Sequence, residues 1–71
     1  PGASPEDRAV LARVYAALEE LPVDERIAWT LRHVEGERLE AVARLCGCSL
    51  ATAKRRISVA HEKLERLVSD D

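Results

Sequence analysis

"LEAVARLCGCSLATAKRRISVAHEKL", Leu39 to Leu64, holds two apolar stripes of helical spacing separated by one glycine. Leu39, Val42, Ala43 and Cys46 share a face, which predicts a short helix over roughly 39–46. Gly47 is its natural stop, since a left-handed backbone carries no Cβ penalty there. Cys48 is expected to tuck inward from the turn, and Ser49 to cap the next helix. Leu50, Ala53, Ile57, Ala60, Leu64 and Leu67 then cluster on one side of a helix over about 50–68, the longest in the chain. A short helix, a glycine turn and a longer helix make a helix-turn-helix pattern.

Upstream, "SPED" opens another helix. Ser4 suits the N-cap, Pro5 the first helical position, and Asp7 a capping-box-like spacing. Val10, Leu11, Val14, Ala17, Leu18 and Leu21 give this helix an apolar face, and Pro22 ends it. A second helix is expected from Val23 to Glu35, with Ile27, Ala28, Leu31 and Val34 as its stripe and Gly36 as its stop. Trp29 and His33, one turn apart and off that stripe, are expected to cover the edge of the core, with a partner surface as the alternative. No strand-like alternation, internal repeat or low-complexity tract is present. The expected fold is therefore all-α: a small four-helix domain over residues 5–68, with a linker at 1–4 and a tail at 69–71.

Seventy-one residues, 46% of them apolar, suffice for one small core. No run approaches the roughly 18 apolar residues of a membrane span, and no secretory signal opens the chain. Cys46 and Cys48 stand too close for an ordinary disulfide, and their spacing with His33 and His61 fits no usual zinc site. They read as small hydrophobes, reduced as in the cytoplasm. Neither histidine has an evident nucleophile beside it, and there is no phosphate loop, so neither an enzyme nor a cofactor is expected.

The chain carries a net charge of −2, yet its charge is divided. Residues 1–48 hold six Arg against nine acids, while 49–71 hold five bases against four acids. From Ala41 to His61 there is no acid at all, and Lys54, Arg55 and Arg56 stand together there. Three adjacent bases on a helix are often merely solvated. These fall on the first turns of the second helix of a helix-turn-helix, the part that meets base edges in the major groove. Arg55 is central on the outward face and can reach a base edge, guanine by preference. Lys54 and Arg56 flank it toward the two phosphate walls. Ser49 at the helix N-terminus can meet a phosphate, small Ala51 permits close approach, and Thr52, Ser58 and Val59 complete the outward face.

The segment from Leu21 to Leu64 resembles region 4 of bacterial sigma factors, particularly the extracytoplasmic-function group. The first block is Leu21, Pro22 and Arg26, then Leu31, Arg32, Glu35 and Gly36. The second is Gly47, Ser49, Thr52, Lys54 and Arg56, closing at Leu64. The resemblance implies reading of the −35 promoter element while bound to core RNA polymerase, a contact with the polymerase β flap, and capture by an anti-sigma factor in many members. It implies no catalysis. Arg38 stands where the family often has a capping Ser or Thr, Arg55 where a small residue is common, and Val59 and His61 where bases are common. Val59 can meet a thymine methyl, which bears on base preference, or simply weaken DNA binding; together these departures point to modest affinity for the domain alone. Two rivals are a response-regulator output domain and a helical module that binds polymerase or an anti-sigma factor without independent DNA binding. The first often shows T-V-K-x-H, where this chain has Thr52-Ala53-Lys54-Arg55-Arg56.

Overall fold

The computed structural model describes residues 4–69. It is all α, with α1 (Pro5–Leu18), α2 (Val23–His33), α3 (Leu39–Cys46) and α4 (Leu50–Val68), and no strand among the described residues. Of the linker and tail expected at 1–4 and 69–71, only Ser4 and Ser69 fall within the described residues, and both are cap positions. The other residues of those two segments lie outside them.

Local chemistry sets the helix ends. Ser4 Oγ accepts from the Asp7 amide at 3.2 Å, with Pro5 opening α1 and Glu6 and Asp7 in its first turn. Ser49 Oγ accepts from the Thr52 amide at 3.1 Å and so caps α4. Between α3 and α4 the chain turns through Gly47, at φ +65°. There the Cys48 amide donates to the Ala43 carbonyl at 3.0 Å and the Gly47 amide to Arg44 at 3.2 Å. That reciprocal pair satisfies the last carbonyls of α3 and needs a residue tolerant of positive φ.

α2 ends at His33, two residues before the expected Glu35. Its last turn widens: the Glu35 amide reaches back to the Thr30 carbonyl at 3.0 Å and Glu37 to Leu31 at 2.9 Å. Arg32 Nη1 also donates to the Glu37 carbonyl, at 3.0 Å. Gly36, at φ +76°, completes the reversal.

α4 is the spine on which the other helices pack. Its N-terminal half supplies Ala53 and Ile57 to a cluster with Ala28, Val42 and Ala43, closed by Leu31, Leu39, Cys46 and Cys48. Its C-terminal half supplies Ala60 and Leu64 to a second cluster with Ala17, Leu18 and Leu21, covered by Val14, Trp29 and Val68. Ala28, Ala53 and Ala60 are fully buried, so methyl-sized side chains sit where helices come closest. The first cluster locks α3 against α4 and fixes the angle between the two motif helices.

Several expected core residues lie outside it. Val10 and Leu11 are exposed, because α1 inserts only its last turns, Ala17 and Leu18, against α4. Ile27 and Val34 are exposed as well: α2 presents Ala28 and Leu31 to one cluster and Trp29 to the other, which turns those two outward. At the end of α4, Val68 rather than Leu67 packs inward. Leu50 too is exposed, at the open mouth of the turn.

Candidate nucleic-acid interface

The start of α4 projects its basic residues from a firmly held base. Beneath them Ala53 and Ile57 are buried, so the outward direction of their neighbours is set by packing. Ser49, Ala51, Lys54, Arg55 and Ser58 are exposed, while Thr52, Arg56 and Val59 are half-buried. No acid stands in the first turn, where the helix dipole adds positive potential. Among the described residues Lys54 and Arg55 have no ion-pair partner, which leaves them able to meet phosphate or a base edge.

Two expected members are partly engaged within the chain. Ser49 Oγ donates to Thr52 Oγ1 at 3.0 Å while accepting from the Thr52 amide, so both hydroxyls belong to the cap. Arg56 turns back toward α2, its Nη2 at 3.7 Å from Asp24 Oδ2. Its side chain retains 26% of its exposure, against 69% for Asp24, so the pair is a weak surface contact that phosphate can displace.

A second ion pair lies deeper. Lys63 Nζ donates to Glu25 Oε1 at 3.0 Å, tying the start of α2 to the second half of α4. Asp24 and Glu25, both in the first turn of α2, thus each meet a base on the long helix. Helical spacing carries no signal of this, since the partners lie 32 and 38 positions apart in the sequence.

Trp29 covers the C-terminal cluster, as expected, and its indole Nε1–H donates to His61 Nδ1 at 3.3 Å. His33 lies near both rings, with centroids 5.1 Å from Trp29 and 5.7 Å from His61. Burial first, then repulsion from His61 once it is protonated and from Arg32, holds the His33 imidazole below its usual value. Burial chiefly, then Cys48, pushes the Cys46 thiol up; Arg56 opposes this and Asp24 adds to it. Cys46 is thus a protonated apolar filler. Among the described residues no group of His, Cys, Asp or Glu is placed to hold a metal ion, and no helix is long and apolar enough to cross a membrane.

The family model for sigma-70, region 4 matches residues 11–64, from within α1 through both core clusters and the turn to Leu64. The chain belongs to that family. Over 56 residues it is 41% identical to the ECF RNA polymerase sigma factor EcfG of Rhodopseudomonas palustris, covering 79% of this chain and 31% of that protein. Over 55 residues it is 36% identical to the ECF RNA polymerase sigma-E factor of Escherichia coli and of Salmonella typhimurium, covering 78% of this chain and 29% of theirs. The chain therefore spans about a third of the length of these curated relatives.

Proposed function

We propose that this chain is the −35-reading part of a sigma factor of the extracytoplasmic-function group, directing RNA polymerase to promoters in the cytoplasm. The observation that carries the reading is the placement of Lys54 and Arg55. Both are exposed on the acid-free first turns of a helix that is capped by Ser49 and braced from below by α3. In this mode α4 lies in the major groove of the promoter duplex. Arg55 reads a base edge, Lys54 holds one phosphate wall, and the helix N-terminus at Ser49 receives another phosphate. Ala51 allows close approach, with Ser58 and Val59 further along the groove-facing side. Core RNA polymerase, through its β flap, and an anti-sigma factor are the protein partners this role carries. The domain acts by binding and not by catalysis.

The family match favours this reading over a response-regulator output domain. One observation keeps a second reading in view. Arg56 is paired with Asp24 and the chain is net −2, which suits a module that binds polymerase or an anti-sigma factor and reads DNA only within the full complex.

Enrichment of duplexes from a randomised pool at low salt, with the parent chain and with Arg55→Ala, separates the two. A converged hexamer that blurs at one position in Arg55→Ala supports direct readout. No convergence at any salt leaves polymerase or anti-sigma binding as the function of the isolated chain.

A further inference from the structure

His61 sits where the two helices that flank the C-terminal cluster meet, and its two ring nitrogens have different partners. Nδ1 accepts the Trp29 indole N–H, while Nε2 faces Glu65 Oε2 at 3.6 Å. This arrangement requires a lone pair on Nδ1, so the imidazole is neutral with its proton on Nε2. We propose that Trp29, His33 and His61 form a pH-sensitive latch between α2 and α4, closed while His61 Nδ1 is unprotonated and released when it takes a proton from solvent.

The geometry makes the response one-directional. A proton on Nδ1 occupies the lone pair that accepts the indole, leaving two N–H groups face to face and the Trp29 donor without a partner. A charge on His61 also meets His33, whose ring centroid is 5.7 Å away. On α2, a positive charge on His33 is disfavoured both by Arg32 and by the facing His61. On α4, Glu65 favours the protonated ring from the Nε2 side, and Glu62 lines the hollow that His33 and His61 share. α1 contributes only apolar Val14 to the groove on the other side of His61. Glu65 can hold a protonated His61 through Nε2, but it does not restore the acceptor that Trp29 loses.

The lowered value of His33 works in the same sense. The folded state prefers the neutral ring, so its contribution to stability is present above the ordinary histidine value of about 6.5 and is lost as pH falls through the lowered one. Trp29 also walls an open groove of about 430 Å³ against Val14, Leu64 and Val68, so release of the latch frees the side chain that shapes it.

Trp29 is the chain's one tryptophan, which makes the test direct. Its fluorescence and its indole N–H resonance are followed from about pH 8 to about pH 5 in the parent, His61→Gln and His33→Gln, across the ordinary histidine range. Gln at 61 retains an acceptor oxygen but does not titrate. The parent is expected to show a single titration in both signals, with a falling melting temperature. His61→Gln is expected to lose most of the change in both signals, keeping only what His33 beside the indole contributes, and to lose at least half of that fall. In His33→Gln the titration of both signals persists, since His61 and its bond to the indole are intact. A parent flat over the whole range overturns the latch, as does a His61→Gln chain that titrates like the parent while remaining helical by circular dichroism.

Discussion

Arg56 of α4 lies 3.7 Å from Asp24 of α2, so one of the three adjacent bases is paired within the chain. In the proposed mode, an acid of α2 thereby competes with DNA for a cation of α4. Asp24→Asn should release Arg56 and also remove a negative charge beside it. Affinity for duplex DNA should rise for all sequences alike, and the slope of log affinity against log salt should steepen by about one unit. The parent slope, for about three to five phosphates, is expected between about −2.7 and −4.5. An unchanged slope in a titration of both proteins from low to high salt would show that Arg56 does not reach phosphate.

Arg55 and Lys54 are neighbours with different expected roles. Arg55→Ala should cost about 1–3 kcal/mol at one base pair and little elsewhere, because a base-edge contact is lost. Lys54→Ala should weaken every sequence about equally and make the salt slope shallower by about one unit. Competition binding against single-base variants of the selected site distinguishes them. Equal loss on every sequence for Arg55→Ala would sink its assignment to a base edge.

The N-cap of α3 is Arg38, with extended backbone and no side-chain cap bond, unlike α1 and α4, where serines serve. Arg38→Ser supplies an oxygen for the amides of the first turn. It should stabilise the chain by about 0.5–2 kcal/mol. Each kcal/mol raises the melting temperature by roughly 4–8 °C in a domain of this size. Thermal unfolding followed by circular dichroism reads the shift directly.

The turn and the long helix were legible because their signals are local. Ser4, Ser49 and Gly47 act through bonds or dihedrals within a few residues, and each stands at the cap or turn expected of it; Gly36 falls in the expected turn, though α2 itself ends at His33. The buried stripe of α4 from Ala53 to Leu64 was legible too, since a helix packed along most of its length shows its periodicity plainly. What periodicity could not give was depth. Val10, Leu11, Ile27 and Val34 have helical spacing, yet which turns meet a neighbour depends on where the helices cross. Likewise, the outward basic face followed from angular position alone, while the pairing of Arg56 with Asp24 depends on α2 ending up beside α4.

Cys46 and Cys48 flank Gly47, and burial chiefly pushes the Cys46 thiol up, with Cys48 adding to it. The thiolate is the reactive form, so Cys46 should alkylate slowly in the folded chain. At neutral pH, iodoacetamide labelling followed by mass spectrometry should find Cys46 modified several-fold faster after unfolding in guanidinium. Equal rates in the two states would mean that the turn leaves Cys46 open to solvent.

The hardest test of the packing contrasts Ala60 with Leu67, two positions of α4 on the same expected apolar side. Ala60 is fully buried among Ala17, Leu18, Leu21 and Leu64, where a methyl group sets the approach of α1 to α4. Ala60→Leu adds three heavy atoms that this cluster has no room for. Overpacking of this kind costs about 1–3 kcal/mol. Leu67 is 45% exposed because Val68 has taken the inward position, so Leu67→Ala should change stability by no more than about 0.5 kcal/mol. Urea unfolding at neutral pH compares the pair, and the ranking is the decisive result. If Leu67→Ala proved the more damaging, the end of α4 would be rotated toward Leu67, and Trp29, which covers the same cluster, would have to move with it.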